Sequence, residues 1–196
     1  ALRDGVKVMR GRMRGLRETV VETHAESGLH IEARLSGTSS SYSLEGPQID
    51  GSLRPGEGYI LGLREPVRWR VTIPAQEALE VVSVRFPLEY IDSISDLHPA
   101  IAARMQREIN CPNRQVIELT PDLIRITQEL LDVSENEGFG VIRMESLALS
   151  MLAAFFDLLD KVDRRADRAG RVMPMVEELI ARSAPRIWTA AALSSE

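Results

Sequence analysis

Apolar and polar residues alternate along the first half of the chain, from Val6 to about Phe86, and then switch to a helical period. "LHIEARLSG" sets Leu29, Ile31, Ala33 and Leu35 on one face and His30, Glu32 and Arg34 on the other. "VRWRVTI" sets Val67, Trp69, Val71 and Ile73 inward, with Arg68, Arg70 and Thr72 outward, and "LEVVSVRF" aligns Val82, Val84 and Phe86. Such alternation predicts half-buried antiparallel strands. Turn chemistry separates them at "ESG" (26–28), "EGPQIDG" (45–51), "RPGEG" (54–58) and "IPAQ" (73–76). Short strands with regular turn signals and no intervening helix imply a small barrel or sandwich.

After Phe86 the pattern predicts helices. "PLEYIDSISDLHPAIAARMQREI" breaks into short pieces around Pro99. "LTPDLIRITQELLDV" offers Thr120 as N-cap and Pro121 at the first helical position, with Ile124, Ile126, Leu130 and Leu131 on its apolar side. The longest segment runs from Val141 to about Arg168. Its Leu147, Leu149, Leu152, Phe155, Phe156, Leu159 and Val162 make a stripe broad enough for two surfaces. One is the strand domain; the other is a second copy of the chain, unless the helix is wholly a core element.

Composition alters this picture little. The 196 residues are 44% hydrophobic and 27% charged, ordinary for a globular protein, with net charge −5. The region from Lys161 to Arg186 is locally basic, with seven basic residues against four acids. A charge run of this kind marks either a nucleic-acid-facing tail or a solvated helix face. Cys111, the single cysteine, excludes a disulfide framework and a cysteine zinc site. No apolar run approaches the ~20 residues of a membrane helix, and no signal peptide is visible, so a cytoplasmic location is expected.

The sequence holds no G-x-S-x-G, H-E-x-x-H or P-loop motif. "GEGYILG" (56–62) runs into strand residues rather than opening a helix, and is read as a hairpin turn. If the turn after β-like "VETHA" centres on Ser27, His24 faces His30 and Glu22 faces Glu32, a set that suits a metal. Period two, however, groups these residues with the polar positions, outside the apolar interior, so no metal and no cofactor are assigned. Arg10, Arg12 and Arg14 line one strand face, either touching phosphate or discouraging edge aggregation. An inward Trp69 can stack on a planar guest, and Tyr42 and Tyr59 join it as candidate ligand contacts.

Strands, then a helical arm, then a basic stretch leading into "VMPMVEELIARSAPRIWTAAALSSE" resemble the AraC-type transcriptional regulators. "LEGPQIDGSLRPGEGYIL" is similar to that family's cupin turn. "IPAQEALEVVSVRFPLEYI" resembles the strand entering the first sensor-domain helix, most like the branch that regulates siderophore-receptor genes. The resemblance implies an α+β fold: a small antiparallel cupin-like barrel over 1–90, a helical dimerisation region over 91–168, and a linker with the truncated start of a helix-turn-helix domain over 169–196. It implies a small-molecule effector, a siderophore by resemblance alone, and a homodimer through the helix around Leu147–Val162. Duplex DNA is implied as a partner of the full-length protein only, because "RIWTAAALSSE" reads as a helix broken off before the recognition helices. The H-x-H plus Glu pattern of metal-binding cupins is absent. The competing expectation is a cupin-class metal-dependent enzyme, an isomerase or dioxygenase.

Overall fold

The computed structural model describes residues 5–45, 51–110, 114–134 and 139–183, the last stretch by its backbone alone beyond residue 162. Cys111 and the segment "RIWTAAALSSE" lie outside the described residues. By its internal contacts the chain divides into two units, Ala1–Phe155 and Phe156–Glu196.

The alternating half forms β1 (Lys7–Arg14), β2 (Thr19–Ala25), β3 (Gly28–Ser36), β4 (Ser39–Ser43), β5 (Gly51–Leu53), β6 (Glu57–Leu63), β7 (Val67–Ile73) and β8 (Ala78–Phe86). These are followed by α1 (Leu88–Ile94), α2 (Pro99–Asn110), β9 (Gln115–Glu118), α3 (Pro121–Asp132) and α4 (Gly140–Ser183). Two antiparallel sheets result, ordered β1-β8-β3-β6-β9 and β2-β7-β4-β5. The barrel expected from the sequence is thus a cupin-like sandwich of two separate sheets. With two exceptions, β4 to β5 and β8 to β9, each strand is followed by one in the other sheet.

That alternation corrects two local readings. The turn at "RPGEG" is a tight β-turn, with the Glu57 amide donating to the Arg54 carbonyl at 3.1 Å. Pro55 precedes Gly56, whose φ of +80° suits a type II turn. Yet β5 and β6 belong to different sheets, so the turn is a corner and not a hairpin. The same is true of β2 and β3: His24 pairs in register with Arg68 of β7, and His30 lies between Arg85 of β8 and Leu61 of β6.

The five-stranded sheet is covered on both sides. Leu29, Ile31 and Ala33 are fully buried and share a face with Ile60 of β6 and with Val82, Val84 and Phe86 of β8. This face carries α2 and α3, which pack on β6, β3, β8 and β1. Gly62 allows the approach: a Cβ there would lie 2.3 Å from the Glu108 carbonyl oxygen of α2. Strand β9, which the helical reading of the second half did not anticipate, pairs with β6 and forms the sheet's edge.

Helix α3 begins where the sequence says it should. The Thr120 side chain accepts from the Leu123 amide at 3.4 Å, and Pro121 opens the first turn. Leu123, Ile126, Thr127 and Leu130 form its buried side. Thr120→Ala is expected to cost about 1 kcal/mol, read as a lower denaturation midpoint. At the far end, Arg10 Nη1 donates to the carbonyls of Leu130, at 3.0 Å, and Val133. Arg12 bridges Asp132 and Glu80. A cationic partner at a helix C-terminus satisfies its last carbonyls and complements the dipole. Arg10 and Arg12 therefore anchor α3 to β1, which neither sequence reading of the cluster foresaw.

On α4, Leu147, Leu152, Phe155 and Leu159 are buried, whereas Leu149 and Val162 are exposed.

Candidate functional site

On the side of the five-stranded sheet away from α2 and α3, the two sheets border a half-open cavity of ≈ 390 Å³. Its walls come from β3, β6 and β8 on one sheet and β7 on the other, and from the edge strands β1 and β2. Because opposite residues in antiparallel strands share a face, the register fixes what enters it. His30 opposes Leu61, Glu32 opposes Tyr59 and Ser83, and Thr23 opposes Trp69. The polar face of β3 therefore points between the sheets, and its apolar face points to the helices. This reverses the expectation that His30 and Glu32 lie outside the interior. Period two separates the faces of a strand but does not say which of two covered faces is the lumen.

Trp69 and Tyr59 meet in this interior. They are 8% and 3% exposed, and their rings stand edge to face, 6.5 Å apart and inclined at 83°. Around them Ala25, Leu53, Leu61, Leu63 and Val67 complete an apolar cluster drawn from both sheets. Tyr42 is elsewhere. It opposes Arg70, one residue out of phase with Trp69, and accepts a 2.6 Å hydrogen bond from Arg70 Nη1 on the outer face. Arg70 also donates to Glu22 at 3.0 Å, and that bond is the main reason the Glu22 pKa lies below the usual carboxylate range. Glu22 is thus parted from His24, His30 and Glu32, which border the cavity, and among the described residues no set of three His, Cys, Asp or Glu side chains is placed to hold a metal.

A polar network backs the aromatic pair. Arg34, 3% exposed, donates from Nη2 to Glu32 Oε1 at 2.6 Å and from Nη1 to Ser39 Oγ at 2.9 Å. The Tyr59 hydroxyl donates to Glu32 Oε2 at 3.3 Å. Arg114 lies over the Tyr59 ring at 4.4 Å and donates to Ser41 Oγ at 2.9 Å, tying the sheets together. Burial, seconded by the Glu32 charge, pushes the Tyr59 phenol well above its ordinary pKa, so it stays a hydrogen-bond donor.

The rim is charged. Glu26 bonds to Lys7 Nζ at 2.8 Å and pairs with Arg85, and these cations, the Lys7 hydrogen bond foremost, hold its pKa down. Arg85 also donates to the Ser27 carbonyl at 2.9 and 3.0 Å. His30 Nε2 donates to the Glu26 carbonyl at 2.6 Å. The β2–β3 corner is held by side chains from β1, β3 and β8 in consequence. Sequence reading weighed Glu32 only as a metal ligand and missed Lys7, Arg34 and Arg85 as site residues; the alternating acid and base in "HIEARL" was the one available signal.

Burial lowers the His30 pKa despite the opposing hydrogen bond to Glu26. The unfolded chain binds the proton first, near pH 6.5. Stability present above that value therefore falls as the pH drops toward the folded-state pKa. His30→Asn is expected to flatten the loss of melting temperature between about pH 7.5 and 5.5, the window that brackets the free histidine value. Acid loss from Glu26 belongs to a lower window, below about pH 4.3, and separates from it in a pH series.

The family model of the "Regulatory protein PchR N-terminal domain" matches residues 1–172. No curated protein matches the chain by sequence. An apo ToxT variant from Vibrio cholerae strain SCE256 is 10% identical, with a TM-score of 0.53, covering 97% of this chain and 69% of its own. Another ToxT structure from Vibrio cholerae is 13% identical with a TM-score of 0.48, over 95% and 68%. The cupin domain of CENP-C from Drosophila melanogaster is 14% identical with a TM-score of 0.32, over 43% and 62%. The ToxT likeness shows the fold alone; the family match spans most of the chain, strands and helices alike, and so the chain belongs to the family of the regulatory protein PchR N-terminal domain.

Proposed function

We propose that the effector binds in the cavity between the sheets, with Trp69 and Tyr59 as its aromatic contacts, and that the chain acts without catalysing a reaction. The observation that carries this is the cavity itself, where two buried aromatic rings adjoin a fixed polar network. Cavities of a few hundred Å³ with apolar walls and a few placed polar groups are the usual form of small-molecule sites. The siderophore branch that the sequence resembles makes a siderophore the first effector to try. Tyr42, committed to Arg70 on the outer face, has no part in this contact.

Binding would favour one arrangement of a dimer and so place two DNA-binding domains of the full-length regulator on duplex DNA in the cytoplasm. Ligand affinity for one arrangement over the other sets the size of that shift. The exposed Leu149 and Val162 on α4 support a second copy as the partner of that helix. The functional division that goes with this reading is a sensor over 1–90, a dimerisation region over 91–168, and a linker with the start of the DNA-binding domain over 169–196. Among the described residues no helix is long and apolar enough to cross a membrane.

Calorimetric titration with a panel of siderophores tests the reading. One ligand per chain, bound more weakly by Trp69→Phe, is the expected outcome. Binding that Trp69→Phe leaves unchanged would place the site elsewhere. Sedimentation of Leu149→Glu beside the parent chain tests the dimer, with a monomer expected from the variant.

A further inference from the structure

We infer that Glu32 reads a hydrogen-bond donor on the ligand, and that Arg34 is the residue that positions it. The cavity would thus take a planar, aromatic hydroxyl- or amine-bearing compound. The inference rests on the effector-cavity reading and adds the chemistry of its deep end.

Glu32 stands at the centre of the five-stranded sheet, with Tyr59 opposite it on β6 and Ser83 opposite it on β8. Its side chain is 17% exposed and borders the cavity. One oxygen is committed: Oε1 takes the 2.6 Å bond from Arg34. The other is not. Oε2 receives only the Tyr59 hydroxyl, at 3.3 Å, beyond the roughly 2.5–3.0 Å usual for O–H···O bonds. A carboxylate offers about four lone-pair sites, and among the described residues no further donor reaches this one. A half-satisfied carboxylate facing a cavity is a poor stabilising device and a good recognition device, since a ligand O–H or N–H completes it.

Arg34 does not border the cavity. It is buried behind Glu32, fixed by Ser39, and its Nε has no hydrogen-bond partner among the described residues. A buried ion pair is often matched in stability by apolar residues of the same volume, so stability alone gives little reason to keep one. Orientation does. Arg34 Nη2 fixes Oε1 while Nη1 is held by Ser39, and this leaves Oε2 directed toward Tyr59 at the cavity, where a planar ring would lie. Lys7 and Arg85, the cations nearest an acidic ligand, are already engaged by Glu26 at the rim. A ligand carboxylate at the deep end would meet Glu32 and be repelled.

The test is calorimetric titration of the 196-residue chain with three probes of one shape: para-ethylphenol, para-ethylanisole and para-ethylbenzoate. The phenol is expected to bind roughly ten- to a hundredfold more tightly than the anisole, as a hydrogen bond to a charged acceptor implies. In Glu32→Gln that preference should shrink toward parity while the anisole affinity holds. Arg34→Lys should retain part of the preference that Arg34→Met loses. If phenol and anisole bind the parent chain equally, the Glu32 inference fails and the cavity reading stands. If the benzoate binds best, the rim cations govern recognition and the inference fails. If no probe binds, the cavity reading falls and takes the inference with it. The comparison on the parent chain decides the matter even if a variant does not fold.

Discussion

Arg34→Met is expected to lower the unfolding free energy by about 3–5 kcal/mol, the usual cost of stranding one member of a buried ion pair. The variant leaves the Glu32 carboxylate without its 2.6 Å partner and Ser39 without its donor, at a position 3% exposed. Urea denaturation at neutral pH, followed by circular dichroism, measures the loss. A second variant separates charge from packing: Arg34→Met combined with Glu32→Leu removes both charges and should recover most of the stability. A single-variant loss under about 1 kcal/mol would mean that the pair behaves as a solvated surface bridge. The double variant is also expected to be blind to ligand donors, so a stable fold would coexist with a lost preference for the phenol.

Trp69→Ala carries the other large effect, again about 3–5 kcal/mol. Trp69 fills the space between the sheets beside Tyr59, Leu61 and Val67, and truncation would enlarge an existing cavity instead of letting the walls close. The spread of such penalties follows how far a site can collapse, and here the Arg114–Ser41 bond fixes the two sheets relative to each other. Thermal unfolding of Trp69→Ala and Trp69→Phe checks this, the phenylalanine variant losing much less. Equal losses would show that the indole's size contributes nothing to holding the sheets.

The strand half and the helix half were legible from period alone, and Thr120-Pro121 announced α3 because capping is a local matter. Trp69 was also legible, since its strand alternates cleanly between arginines and apolar residues. Three features were not. The face of β3 that lines the cavity looks like the solvent face, because helices encoded after residue 86 cover the apolar side. The His24–His30 pairing failed because turn residues mark a change of direction without saying which sheet receives the next strand. Strand β9 is four residues long, and its backbone is ordered by the waiting edge of β6 rather than by its own sequence. Tyr42 was separated from Tyr59 and Trp69 for a related reason: one residue of phase within a strand decides between cavity and outer surface.

The late arrival of β9, α2 and α3 bears on how the protein can be made and cut. A gene fragment ending near residue 90 encodes every strand lining the cavity, yet it leaves the edge of β6 unpaired and Leu29, Ile31, Ile60 and Val84 bare. Exposed strand edges beside apolar surface template aggregation. On the ribosome the first eight strands must likewise wait for α3 to emerge before the sheet is covered, and contacts of such long sequence separation form slowly. The sensor is therefore not a module that can be excised at the last cavity-lining strand; its smallest self-sufficient piece includes the helices downstream.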